Sequence, residues 1–264
     1  PGGGSAGPVP SYTQIGRQRL EPVTQFAYGT VSGVGGGGFA GYARQILAPV
    51  TQVAYGTAEG GVPTETPVTF SDSQIGASMS LSNSDRTATL DSESAANASR
   101  GIEYDYAGAG GLYYWEIHIG GTPDTGEDHS PSIGMATPSI ISNGAAYDHL
   151  CGNDADSWGY LRSGDKRTNS SSSSFGDPFD AGDIIGVAFD GATGKIWFAL
   201  NNVWQNGGDP AAGTGEAFSS VASNAQLLVS ADMGAPTMTI QAMETHCTYT
   251  APAGFDYAGN ANIA

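Results

Sequence analysis

The residues of this chain that could take part in catalysis are few and widely spaced. Glu116 and His118 lie two positions apart in the segment LYYWEIHIG, where an alternating strand would place both side chains on one face. Acid–base hydrolysis of sugars needs two carboxylates that flank the bond, and the neighbour of Glu116 here is a histidine. The sequence has no HExxH or P-loop pattern. We therefore expect no catalytic residues, although carboxylates from separate strands could still converge.

Metal ligands are present, but their spacing favours no known site. Two acidic loops could supply oxygen ligands for calcium, and their residues are Asp124, Glu127, Asp128 and His129 in the first and Asn153, Asp154 and Asp156 in the second. Neither loop has EF-hand spacing, and acidic residues in an acidic protein usually face water. The histidines are scattered, so each is expected to be a surface or capping residue. We expect no bound metal and no cofactor.

The two cysteines, Cys151 and Cys247, are too few and too far apart for a disulfide scaffold or a zinc site. Two buried free thiols are the simpler expectation. A bridge between them stays open as an alternative, because a sandwich can bring distant strands together and the sequence does not show their separation.

The charge balance excludes one class of partner. The chain has 264 residues with 9 Lys and Arg against 26 Asp and Glu, for a formal net charge of -17. Proteins that bind nucleic acid do so through clustered cations, so we expect no nucleic-acid partner. No run of 18 apolar residues is present, and we expect no membrane insertion.

The first 61 residues are predicted to form an extended arm that contains a repeat. GRQRLEPVTQFAYGT at 16–30 returns as ARQILAPVTQVAYGT at 43–57, with eleven of fifteen positions identical. After each proline the residues alternate as in a short strand. The positions expected to mediate assembly are Pro22, Val23, Gln25, Phe26 and Tyr28 in the first copy, and Pro49, Val50, Gln52, Val53 and Tyr55 in the second.

An isolated two-stranded element is marginal in water, so the arm should become ordered only against a partner. The alternative is that both strands extend the sheet of their own domain. The segments TQIGRQRL and PVTQVAYGT resemble short TQ-x-A and RQ-x-L repeats in structural proteins of tailed bacteriophages. This resemblance implies that the arm docks to other proteins of a virion.

Residues 62–69 read as a Pro/Thr-rich linker, and residues 70–258 as an antiparallel β-sandwich followed by a tail at 259–264. Short apolar strands and turns alternate every eight to fifteen residues, without a helical period. Alternation predicts that Tyr113, Trp115, Ile117 and Ile119 point inward and that Tyr114, Glu116 and His118 point outward. Ile196, Phe198 and Leu200 are predicted to form the matching inner set. The serine run Ser170 to Ser174 is predicted to be a loop.

Six segments in this region resemble the SPRY domain, a concanavalin A-like sandwich, in the order that the family shows. They are Leu112 to Ile117, Ser132 to Ala136, Ser157 to Tyr160, Gly182 to Val187, Lys195 to Asn202, and Pro252 to Phe255. Three departures are an Asn201-Asn202 turn, an insert from Thr137 to Asp156, and the tail VWQNGGDP after Asn202. That tail is similar to the phage and bacterial branch of the family. Asn201-Asn202 replaces Asn-Gly, and Asn also accepts positive φ.

The SPRY resemblance implies a binding module that uses the loops at one end of the sandwich. The candidate ligand-binding residues are Tyr147, Asp148 and His149 in the insert, Arg162, Lys166 and Arg167 in the next loop, and Trp204. Trp and Arg are common at interface hot spots, and Trp204 is the strongest candidate. An alternative role for Trp204 is a lid over the sandwich edge. Trp115 and Trp158 are expected to be core residues.

Together these observations predict a structural virion protein of a tailed bacteriophage. Its arm would bind other virion proteins, and its sandwich would bind a host surface glycan or protein. A tail-fibre or receptor-binding role, without enzymatic activity, is favoured because an outward recognition fold suggests adhesion. A capsid decoration protein is the second possibility, and a polysaccharide-degrading enzyme on the same fold is the third. We expect a homo-oligomer on the virion surface.

Overall fold

The computed structural model describes residues 68–76, 78–91, 97–101, 110–123, 130–138 and 150–259. The predicted arm lies outside these residues, as do its PVTQ repeats and most of the linker. Side chains at 72–74 and 97–101 are not described either. No helix within the described ranges is long and apolar enough to cross a membrane.

The described residues form fifteen β-strands and one short 3₁₀ turn at Gln205–Gly207. In chain order the strands are β1 (Phe70–Ile75), β2 (Met79–Ser82), β3 (Thr87–Leu90), β4 (Asn97–Gly101), β5 (Leu112–Pro123), β6 (Ser132–Ala136), β7 (Ser157–Leu161), β8 (Asp165–Thr168), β9 (Ser171–Ser174), β10 (Ile184–Asp190), β11 (Lys195–Leu200), β12 (Val203–Trp204), β13 (Gln226–Ala231), β14 (Gly234–Gln241) and β15 (Asp256–Tyr257).

The strands make two antiparallel sheets. The first sheet has the order β1-β4-β13-β6-β7-β8-β9, and the second has the order β12-β11-β10-β5-β14-β3-β2. β15 adds in parallel to the start of β5, where β14 no longer pairs with it. This arrangement confirms the predicted all-β antiparallel sandwich.

The core between the sheets follows the predicted alternation. Tyr113, Trp115, Ile117 and Ile119 of β5 all belong to the main core cluster. Ile196 and Phe198 of β11 are fully buried in the same cluster, and Leu200 packs against it. The opposite sheet contributes Ile133, Met135, Tyr160, Leu227 and Val229. Trp158 is also in this cluster, so the core assignments of Trp115 and Trp158 are confirmed.

The turns around β10 are held by side chains, as the sequence predicts. Asp183 accepts a hydrogen bond from the backbone N–H of Asp180 at 2.7 Å and another from the side-chain amide of Asn201 at 2.7 Å. Asn201 in turn accepts one from the backbone N–H of Ile184 at 3.0 Å. Asn201 and Asn202 have φ of 48° and 69°, a conformation that Asn tolerates better than most residues. These contacts tie the start of β10 to the end of β11.

The serine run departs from the prediction. Ser171–Ser174 is a strand, β9, and it pairs with β8 from Thr168↔Ser171 to Asp165↔Ser174. Asn169 and Ser170 have φ of 50° and 55°, which is the geometry of a two-residue hairpin turn that directs the chain back along β8. Serine has little intrinsic preference for strands, so backbone pairing set by this turn decides the structure.

Candidate functional site

Tyr114 and Glu116 lie on the outer face of β5, as predicted, but this face is covered and both residues are buried. Tyr114 and Glu116 are 2% and 0% exposed, and only His118 keeps partial exposure. The segment that follows β14 lies over this face, where Phe255 joins Tyr114, Ala188 and Trp197 in a second apolar cluster. Alternation along one strand identifies two faces, but it does not show that a distant segment covers the second one.

Glu116 takes part in four hydrogen bonds, and two of them anchor the covering segment. Its Oε1 accepts from the hydroxyl of Tyr114 at 3.0 Å and from the backbone N–H of Tyr249 at 2.7 Å. Its Oε2 accepts from the backbone N–H of Thr248 at 2.8 Å and contacts Nε2 of His118 at 2.9 Å. The carboxylate is therefore fully engaged and closed to a substrate.

The environment of Glu116 favours its ionised form. Burial alone would raise the pKa of this carboxyl, but the hydrogen bonds from His118, Thr248, Tyr249 and Tyr114 outweigh it and lower the pKa below its ordinary value. The neighbouring Tyr114 has the opposite shift, because burial first and the charge of Glu116 second raise the pKa of its phenol. Glu116 thus has the features of a structural anchor and does not have those of a general acid.

The other groups with possible chemistry are separated. Cys151 and Cys247 are both free; Cys151 is fully buried and Cys247 is partly exposed. Burial raises the pKa of the Cys151 thiol to about 11. No cluster of three or more potential metal-ligating side chains occurs in the described residues, which include the Asn153 to Asp156 loop. The Asp124 to His129 loop lies outside them.

Two of the predicted ligand-binding cations make contacts within the fold. Lys166 donates a hydrogen bond from Nζ to the carbonyl of Ala217 at 2.7 Å, and Nζ lies 5.6 Å and 5.4 Å from the ring centroids of Phe175 and Phe218. Arg162 pairs with Asp180 at 3.3 Å. Lys166 and Arg167 lie on strand β8 and not in the predicted loop, because this segment pairs with β7 and β9; Arg167 is partly buried. Tyr147, Asp148 and His149 lie outside the described residues.

Trp204, by contrast, borders an open cleft of about 420 Å³. Its ring packs edge-on against Tyr114 with centroids 6.4 Å apart, and the residue is partly exposed. The residues that line the cleft are Ser174, Phe175, Gly176, Asp177, Val203, Trp204, Gln205 and Asn206. Trp204 thus covers part of the second apolar cluster and also contributes to a surface that a partner could reach.

The cleft lies between the outermost strands of the two sheets. One wall is the end of β9 and the segment after it, and the other is β12 with the 3₁₀ turn. Gln205 joins the walls, because its Oε1 accepts from the backbone N–H of Asp177 at 2.7 Å and its Nε2 donates to the carbonyl of Val203 at 2.7 Å. The hydroxyl of the core residue Tyr160 donates a hydrogen bond to the carbonyl of Asp177. These hydrogen bonds hold the two walls together.

Val203 is the residue of this cleft that the sequence does not reveal. It is 63% exposed, and no other large hydrophobic residue in the described part of the chain is classed as exposed. It follows directly after the Asn201-Asn202 turn, and in sequence it looks like any strand residue. The cleft thus combines aromatic side chains with an exposed aliphatic one, beside the edge strands of two sheets. Such a surface is suited to binding a polypeptide.

One family model and several solved structures are similar to part of the chain. The family model of the SPRY domain matches residues 112–227, which confirms the resemblance seen in that part of the sequence. Solved structures with a similar fold include the SPRY domain of human HERC1, at 18% identity over 66% of this chain and 98% of that one, with a TM-score of 0.47. The TRIM65 PSpry domain is also similar, at 18% identity over 67% of this chain and 90% of that one, with a TM-score of 0.48. No curated protein matches the chain.

Proposed function

We propose, from the premise that residues 112–227 form a SPRY domain and that such domains are protein–protein interaction modules, that this chain is a structural virion protein of a tailed bacteriophage. In this proposal the arm at 1–61 binds other virion proteins, and the sandwich is displayed outward as a binding module. A tail-fibre or receptor-binding position is favoured over capsid decoration.

The observation that carries the binding role is the cleft beside β12. It presents Val203 and Trp204 next to exposed backbone, and its walls are held in place by Gln205. A preformed surface of this kind loses little conformational freedom when a partner binds. Glu116, a carboxyl whose pKa is lowered, is fully buried, which favours binding over hydrolysis.

Support for the virion role comes from the arm. Its two PVTQ repeats resemble repeats in structural proteins of tailed phages, and a self-similar leader suits attachment to a repetitive particle. The VWQNGGDP tail after Asn202 resembles the phage and bacterial branch of the SPRY family. An intracellular adaptor has no evident need for such a leader.

Antibody fragments raised against residues 110–259 test this proposal on purified particles of a phage that encodes the chain. Gold-labelled fragments are expected at the tail in electron micrographs. Label on the head would support capsid decoration instead, and absence of label from intact and disrupted particles would overturn the virion role.

A further inference from the structure

Among the described residues, strand β9 has no partner along its outer edge, and it directs backbone groups outward there. The two-residue turn at Asn169 and Ser170 makes Thr168 and Ser171 a directly hydrogen-bonded pair. Bonded and non-bonded pairs alternate along an antiparallel ladder, so Ser172 and Ser174 direct their N–H and C=O groups away from β8. These two residues can accept another strand.

This edge strand is short, with four residues, and shortness is one feature that limits pairing at a sheet edge; the other usual protections are not present on β9. All four residues of β9 are exposed serines, without the proline, lysine or bulge that natural proteins place on edge strands. β9 is the last strand of its sheet. Such an edge is a template for β-strand addition, in which main-chain hydrogen bonds supply affinity and side-chain pockets supply specificity.

The cleft beside Trp204 supplies a pocket for such an added strand. Ser174 belongs both to β9 and to the lining of the cleft, so a strand paired with β9 would pass along the cleft. Side chains of a strand alternate in direction. One of them would therefore enter the cleft and contact Val203 and Trp204.

The charge of the cleft indicates the kind of strand that it would accept. Asp177 is the one ionisable residue in the lining, and it is exposed. The nearby cations Arg162 and Lys166 already contact Asp180 and the carbonyl of Ala217. In a chain of net charge -17, a cationic partner is attracted and an acidic one is repelled.

We propose that the cleft binds an extended polypeptide segment of another protein. The segment pairs with Ser172 and Ser174 as an added strand, places an apolar side chain against Val203 and Trp204, and carries an Arg or Lys beside Asp177. This inference rests on the proposed role of the sandwich as a protein-binding module, and it names the chemistry of the partner.

The test is selection from a random library of 12-residue peptides by the purified full chain. Selected peptides should combine an Arg or Lys with a neighbouring apolar residue. Ser172→Pro removes one edge N–H and should weaken the selected peptides about tenfold, the equivalent of one strong hydrogen bond. Ser172→Thr keeps that N–H and is the matched control. Val203→Glu should weaken them to a similar degree.

A charge reversal gives the sharpest readout. Asp177→Lys should change the selected peptides from basic to acidic, because Asp177 is the one ionisable residue that lines the cleft. Each variant should unfold at the same urea concentration as the parent protein. Loss of peptide binding can then be attributed to the change in the cleft and not to unfolding. Selection without charge preference, or binding insensitive to Ser172→Pro, would overturn the proposal.

The remaining outcomes are equally informative. If no peptide is enriched, the cleft is not a polypeptide site and the proposal is wrong. If light scattering shows a dimer that Ser172→Pro separates, a second copy of the chain occupies the edge, which also contradicts it. Neither result affects the virion role, because gold labelling of particles tests that role independently.

Discussion

Replacing Glu116 by Gln tests whether the buried carboxylate holds the C-terminal segment on the sandwich. In the native protein each carboxylate oxygen accepts from one backbone N–H and contacts one side chain. Gln keeps the size of the side chain but changes one oxygen into an NH₂ donor. Tyr114 and His118 can change their roles from donor to acceptor, whereas the N–H groups of Thr248 and Tyr249 cannot. In either orientation of the amide, one of these two loses its acceptor.

The expected cost follows from these contacts. A buried N–H left without a partner costs about 1–3 kcal/mol, and the remaining bonds weaken because they no longer involve a charge. We therefore expect Glu116→Gln to lower the free energy of unfolding by about 3 kcal/mol. For a chain of this size that corresponds to a decrease in melting temperature of roughly 6–12 °C.

Urea unfolding followed by tryptophan fluorescence measures the loss, and amide hydrogen exchange at Thr248 and Tyr249 locates it. Glu244→Gln is the matched control: Glu244 is exposed on the same segment, and its substitution should change stability by less than about 0.5 kcal/mol. If Glu116→Gln is as stable as this control, or if exchange at the two amides is unchanged, the anchoring role of Glu116 is wrong.

Three further predictions follow from the same contacts. The pKa of Glu116 is lowered in the folded protein, so the unfolded state binds more protons and the stability that Glu116 contributes should be lost as pH falls through its folded pKa. The difference in the free energy of unfolding between the parent and Glu116→Gln should therefore become smaller below about pH 4. A difference that stays constant with pH in urea titrations would contradict this. Cys151 is buried, and burial raises its pKa to about 11, so mass mapping after iodoacetamide treatment at pH 8 should find it unmodified in the native protein and modified after unfolding. Modification of Cys151 in the native protein would be inconsistent with the structure. Lys166→Met should lower the free energy of unfolding by about 1–2 kcal/mol, because it removes the hydrogen bond to Ala217 and the contacts with two aromatic rings. An unchanged stability in urea would mean that these contacts do not stabilise the fold and that Lys166 is again a candidate for ligand binding.

The sandwich could be predicted from the sequence because its strands carry local signals. The inner residues of β5 and β11 alternate with a period of two, and the turns at Asp183 and Asn201 use residues whose side chains or backbone suit those positions. Such signals depend only on neighbouring residues. They can be recognised without knowing how the rest of the chain folds.

The burial of Glu116 could not be predicted in this way. Its backbone partners Thr248 and Tyr249 lie 132 and 133 residues further along the chain, and no local pattern links them. β9 was missed for a related reason, since its strand structure comes from the turn at Asn169 and Ser170 and from pairing with β8. Serine composition alone predicts a loop.

The cleft combines both difficulties. Trp204 could be proposed as a binding residue from its type alone, but the walls come from the edges of two different sheets. Ser174, Asp177 and Val203 have no distinguishing sequence feature. They form a surface only after the sheets have assembled. The predicted ligand-binding cations Arg162, Lys166 and Arg167 were easier to select from the sequence, although Arg162 and Lys166 make contacts within the fold.

We propose that the sandwich binds its partner in the open cleft between β9 and β12. A crystal structure of the purified chain with the strongest peptide from the library tests it most directly. We expect a peptide strand that pairs with Ser172 and Ser174 and places an apolar side chain between Val203 and Trp204. A peptide bound elsewhere on the sandwich, with this cleft empty, would contradict it.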